Sequence, residues 1–255
     1  MEDFRQTMLE AIRSNIEHAG HHIYAIQGGE SPRYFYTIGL REVIGGEIVF
    51  AGMAHLPMAD SGNLVDTFAK NLRAGASVED LMIGKDPWGS FRLHPADESW
   101  SELLMLGVYD YYDCTETKAW QVRPTDPEQV TIDLPDMQKP RDSSEDGVWK
   151  WLDGGWPYEV SSSNMVLTNR DVIHGYMISE LIRWEEDEWD MFSGPGTEVS
   201  KEDMIVLPMG TLIGFDPSLE AALKIPVGTG LYRGFNKKGQ PGPWVIWESQ
   251  APGQP

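Results

Sequence analysis

Apolar positions recur every four residues at the start of the chain. Phe4, Met8, Ile12 and Ile16 form a narrow stripe among charged residues, which predicts a helix over 2–19 with Gly20 as its stop. Residues 22–27 then alternate in the manner of a strand, and 28–32, Gly-Gly-Glu-Ser-Pro, is turn material. Residues 34–40 are rich in aromatic and β-branched side chains and predict a second strand. Its alternation puts Tyr36, Ile38 and Leu40 on one face and Phe35 and Thr37 on the other. A third strand is expected at 47–53, after Gly45-Gly46. Pro57 opens a helix to about Arg73, with Leu64, Phe68 and Leu72 on one side and Gly75 as its cap. Residues 89–94 alternate again. Ser99 and Glu102 have capping-box spacing, which predicts a helix over 99–113, and 118–123 reads as a strand.

Pro124, Pro127, Pro135 and Pro140 and the polar run 141–147 interrupt every period, as a linker would. The expected boundary lies near 140–150, giving domains over 1–140 and 150–255. In the second half, strands are expected at 161–167, 204–207, 228–233 and 244–247. Pro217 can begin a short helix ending near Leu223, and 171–184 reads either as a helix or as a strand followed by a helix. Strand and helix signals mix without strict alternation. That pattern points to two α+β domains with mixed or antiparallel sheets, not to a doubly wound parallel one.

One stretch breaks the pattern. Residues 182–196 pack Trp184, Trp189 and Phe192 among Glu185, Glu186, Asp187, Glu188 and Asp190. Five carboxylates cannot all be buried without partners, so the rings must go down while the acids go out. Such a segment is either a solvated edge over a core or an acidic docking surface.

Composition sharpens this choice. The 255 residues carry 20 basic and 40 acidic side chains, for a formal charge of −20. Both halves share it: −12 over 1–150 (13 basic, 25 acidic) and −8 over 151–255 (7 basic, 15 acidic). Binding to nucleic acid or to an anionic membrane needs a positive surface and is not expected. Ten tryptophans and a hydrophobic share of 41% supply a core. Cys114 is the one cysteine, which rules out an internal disulfide and a cysteine-based zinc site. No apolar run reaches the roughly 18 residues of a membrane span. The start, Met-Glu-Asp-Phe-Arg, lacks a secretory signal, so a cytoplasmic protein is expected.

Two resemblances emerge from these segments. Gly20-His21-His22-Ile23, the run from Phe35 to Leu40, Glu47-Ile48-Val49 and Trp120-Gln121-Val122 make residues 15–135 similar to the bacterial family named domain of unknown function four-two-six-two. His21 stands where that family often has tryptophan. The family carries no established chemistry. Ser163-Asn164, Trp189, Phe192, Gly194, Asp216-Pro217, Pro226-Val227-Gly228-Thr229 and Arg233 make residues 158–247 similar to the immunity protein thirty-three family of bacterial polymorphic toxin systems. The departures, Asp187-Glu188 before the tryptophan and Gly194-Pro195-Gly196 after the aromatic, fall in the acidic stretch. This second resemblance implies a non-enzymatic protein that binds and blocks a toxin.

Other candidate chemistry is thin. His18, His21 and His22 cluster, but Gly20 breaks the helix between them, and neighbours in a strand point to opposite faces. No metal or other cofactor is expected. Cys114 follows two carboxylates, Asp110 and Asp113, the wrong neighbours for a thiolate nucleophile. The glycine at 228 and the one at 230 read as architecture, with Arg233 able to reach a nearby carbonyl or carboxylate. The expected site is therefore a partner-binding surface at Trp184, Glu185, Glu186, Asp187, Glu188, Trp189 and Asp190, meeting a basic toxin domain. The alternative is a small-ligand or enzymatic pocket around His22, Tyr34 and Tyr36.

Overall fold

The computed structural model describes residues 2–29 and 31–247, with side chains from residue 5 onward. The side chain of Phe4 and the turn residue Glu30 lie outside that range. The chain divides into two α+β units, each built on a mixed sheet of six strands. The first unit holds residues 1–27, 33–130 and 134–142; the second holds 28–32, 131–133 and 143–255.

In the first unit, helix α1 (Glu2–Ala19) buries Ile12 of the stripe and Leu9 beside it, while Met8 and Ile16 are half-buried. Strands β1 (His22–Ile26) and β2 (Tyr34–Ile38) pair antiparallel, a single helical turn α2 (Arg41–Ile44) follows, and β3 (Glu47–Ala51) continues the meander. Helix α3 (Met58–Arg73) buries Leu64, Phe68 and Leu72 against Phe35, Ile48 and Phe50 of the sheet, as their spacing predicts. After β4 (Met82–Gly84) and β5 (Ser90–Ala96) come α4 (Glu98–Leu104), α5 (Leu106–Tyr112) and β6 (Ala119–Pro124). The order is β1-β2-β3-β6-β5-β4, and only the β3–β6 pair is parallel. That pair is joined by the long crossover that a parallel connection requires.

Three expectations change here. Strand β2 stops at Ile38, because Gly39 takes φ +118° and turns the chain. Leu40 therefore joins the cluster around Phe35 instead of following Ile38. The helix expected over 99–113 is two, broken at Met105, whose φ of −109° and ψ of 38° leave the helical region. Its first cap is Asp97, which accepts from the Ser99 amide; Ser99 itself is inside the helix. Part of the proline-rich stretch is not loose. The Gln121 amide donates to the Pro135 carbonyl at 2.8 Å, the Trp100 indole donates to the Lys139 carbonyl at 3.1 Å, and Met137 is fully buried.

In the second unit, α6 (Trp151–Gly154) anchors through the Trp151 indole, which donates to the Gly210 carbonyl at 2.8 Å. Strand β7 (Met165–Asn169), the turn α7 (Arg170–Ile173), β8 (Glu180–Arg183), β9 (Trp189–Phe192) and β10 (Met204–Pro208) follow. Helix α8 (Met209–Phe215) leads into a 3-10 segment, Pro217–Lys224, and then β11 (Thr229–Tyr232) and β12 (Val245–Trp247). The order is β10-β7-β9-β8-β11-β12, with β7 and β9 parallel. Residues 171–184 thus hold a short helix and then a strand, neither the single helix nor the strand-then-helix order expected there. No described helix is long and apolar enough to cross a membrane.

Candidate functional site

The acidic stretch folds as a hairpin. Strands β8 and β9 pair with Ile182 opposite Asp190 and Arg183 opposite Trp189. The amides of Trp184 and Glu185 both donate to the Glu188 carbonyl, at 2.9 and 3.4 Å, which closes a tight turn. Alternation then decides where each ring goes. Trp189 points to the core and is 1% exposed, with the Arg183 guanidinium over its ring at 4.9 Å. Trp184 points the other way and stays 45% exposed.

The turn is tied from several sides. Arg183 donates to the carbonyls of Glu186 at 3.0 Å and Ile225 at 3.1 Å. Asn164 donates to Asp187 at 3.0 Å, and the Trp184 indole donates to Asp190 Oδ2 at 2.8 Å. Burial pushes the Asp190 carboxyl up from its ordinary pKa, while the indole hydrogen bond pulls it down. Glu185, Glu186, Asp187 and Glu188 all project into solvent. A cleft of about 620 Å³ opens at the foot of the turn, lined among others by Tyr158, Ser161, Arg183, Glu186, Asp187 and Lys224. The seven residues expected at this site are thus brought together, with Trp189 as the hidden support and Trp184 and the carboxylates as the presented surface. Arg183 and the tie from Asn164 were not expected there. The signal for Arg183 was a cation flanking an acid run at strand spacing.

Arg233 reaches both kinds of acceptor expected of it. It pairs with Asp216, donates to the Ile178 carbonyl at 2.7 Å and to Ser218 Oγ at 2.6 Å, and lies 4.2 Å from the Trp244 ring centre. Both partners of the ion pair are buried, so the pair fixes the approach to β11 and β12 and is not open to a ligand.

The aromatic group of the first unit is a row of rings on β1 and β2. His22, Tyr24, Tyr36 and Tyr34 run in a row, with ring centres 4.8, 5.0 and 6.4 Å apart. His22 pairs with Asn15 at 2.8 Å, and the Tyr36 hydroxyl accepts from the Gly107 amide at 3.2 Å. Burial lowers the His22 pKa and raises that of Tyr36. Sequence reasoning named His22, Tyr34 and Tyr36 but missed Tyr24, which stacks on Tyr36 and meets His22 edge-on.

It also missed Glu47. This fully buried carboxylate accepts from Thr37 Oγ1 at 2.7 Å, Tyr112 Oη at 2.8 Å, and the amides of Gly39, Leu40 and Arg41 at 2.9, 3.0 and 3.2 Å. Burial pushes its pKa up; the hydrogen bonds from Thr37, Tyr112, Gly39 and Leu40 pull against that shift. Among the described residues, no three side chains of His, Cys, Asp or Glu converge in a way that could hold a metal ion. No family model matches the sequence, and neither a curated protein nor a solved structure matches the chain.

Proposed function

We propose that this chain is a cytoplasmic, non-enzymatic immunity-type protein that binds a basic toxin domain and blocks it. The observation that carries the reading is the β8–β9 turn. Four exposed carboxylates and a half-exposed tryptophan are held in one shape by Arg183, Asn164 and Asp190. An inhibitor surface needs this combination: an aromatic anchor, a charge field and little freedom to lose on binding. The overall charge of −20 extends the same field and would hasten encounter with a cationic partner. The pocket alternative around His22, Tyr34 and Tyr36 has less support, because the two tyrosines stack in one row with Tyr24 and His22 meets Tyr24 edge-on.

The test is growth protection by co-expression with a toxin domain encoded beside this gene, followed by stopped-flow binding. Glu185, Glu186 and Glu188 changed together to Gln should leave folding almost unaltered, since exposed charges contribute little. Association at low salt should slow by about ten-fold or more, with a flatter salt dependence. Trp189→Ala should cost about 3–5 kcal/mol of stability, as a large core deletion. A triple variant that binds at the parent rate at low and moderate salt would reduce the turn to a solvated face.

A further inference from the structure

The register of the second sheet shows a surface larger than the turn. Directly paired residues share a face, so one row runs Val206, Leu167, Asp190, Ile182, Gly230, Trp247 across all six strands. The neighbouring row adds Glu180, Phe192, Tyr232 and Val245. Two contacts fix this face independently. Trp184, two residues beyond Ile182, reaches Asp190, and a Cβ on Gly230 would lie 3.1 Å from the Trp247 ring and 3.3 Å from the Ile182 side chain. On the opposite face Leu181, Met191 and Leu231 are buried. On this one Ile182 and Phe192 are buried in the middle of the sheet, while Met165 and Val206 on one side and Trp184, Tyr232, Val245 and Trp247 on the other remain between 39% and 52% exposed. Six large apolar side chains left half-open on one sheet face, with the acidic turn at its edge, are the kind of exposed apolar patch that marks an interaction surface.

Charge selects the occupant. The only charged strand positions described on this face are Glu180 and Asp190, both acidic. Asp190 sits mid-row, flanked by Leu167 and Ile182, and the Trp184 indole engages only Oδ2. Among the described residues no hydrogen bond reaches Oδ1. A second copy of the chain would bring these carboxylates and the acidic turn against their own kind. A lipid surface would have to desolvate them without compensation.

Resting on the proposed function, we infer that this open face is the docking surface, and that the partner sets an arginine or lysine side chain on Asp190. The apolar shoulders, Val206 with Leu167 on one side and Trp184 with Trp247 on the other, take the apolar residues around that cation. The turn carboxylates then steer the approach, while the face holds the complex.

The experiment places p-benzoylphenylalanine at Val206 or, as control, at exposed Leu106 of the full chain in its native cell. After irradiation the adduct is identified by mass spectrometry, and the captured protein is purified for binding. Expected is an adduct from Val206 but not from Leu106, with a basic protein. Asp190→Asn and Val206→Glu should each weaken its binding at least ten-fold while leaving circular dichroism and melting unchanged. The inference is overturned by no adduct at Val206, by an adduct with a second copy or with an acidic protein, or by both variants binding within two-fold of the parent. If they bind normally while the triple Gln variant associates slowly, the turn is the site and the face is not. If they lose binding to a basic protein that is no toxin, the face stands and the immunity reading falls.

Discussion

At the scale of single residues, two buried titratable groups decide testable outcomes. Glu47 gathers Thr37, Gly39 and Leu40, so the motif run of β2 and the start of β3 are joined through one carboxylate. Glu47→Gln would aim an amide N–H₂ at some of these donors. Each buried donor left unpaired costs about 1–3 kcal/mol, so the urea midpoint should fall by at least that equivalent. His21 gives a pH dependence. It is buried, with Nε2 3.2 Å from Asp66, and faces Lys70 and Arg73 as well. Burial lowers its pKa, Lys70 and Arg73 lower it further, and Asp66 opposes them. A folded pKa below the unfolded value means the folded state binds fewer protons. The stability it confers is therefore full above about 6.5 and is lost as pH falls below that value. Melting curves between about pH 7.5 and 5 should show this loss, and His21→Gln should flatten the slope; an unchanged slope would remove His21 as its source.

At the scale of elements, periodicity succeeded where one face is buried and failed where a local geometry intervened. Helices α1 and α3 were legible because their stripes meet a sheet. Strand β4 was not legible, since its three residues bury no side chain fully. The single helix over 99–113 became α4 and α5 because sequence spacing does not show the break at Met105. The acidic turn was legible from composition alone. The open sheet face was not, because it exists only once the register of six strands is known, and no window of sequence contains Val206, Asp190 and Trp247 together. The same logic bears on β2. Ile38 has no exposed surface, although it lies outside the cluster around Phe35 and Leu40, so both faces of that strand are covered. Ile38→Ala should cost about 2–5 kcal/mol in chemical unfolding, as a full core position does. A change under about 0.5 kcal/mol, typical of a surface site, would refute that burial.

At the scale of the whole molecule, the division into units does not follow one cut in the chain. The proline-rich stretch contributes to both: Leu134 and Met137 bury in the first unit, while residues 131–133 belong to the second. There the Ile132 amide donates to the Ile173 carbonyl at 2.8 Å, and the Trp149 indole donates to the Asp133 carbonyl at 3.2 Å. Prolines and polar residues conceal this in the sequence, because backbone carbonyls accept whatever the side chain is. Residues 142–145 are exposed, so a glutamate-specific protease should cut after Glu145 before it cuts within either sheet. The break would leave residues 131–133 on the N-terminal fragment and their partners Ile173 and Trp149 on the other. The two fragments should therefore elute as one species in native gel filtration and separate only in denaturant. Removing the strap should loosen the second unit more than the first: Asp133 is fully buried and Thr131 nearly so, hence their loss opens the site where Trp149 sits. Hydrogen exchange on the nicked protein reads this directly. Protection should persist through β1–β3 and fall around Trp149 and Ile173 relative to the uncut protein. Fragments that separate without denaturant, or a protease that leaves 142–145 intact while cutting inside a sheet, would contradict this division of the chain.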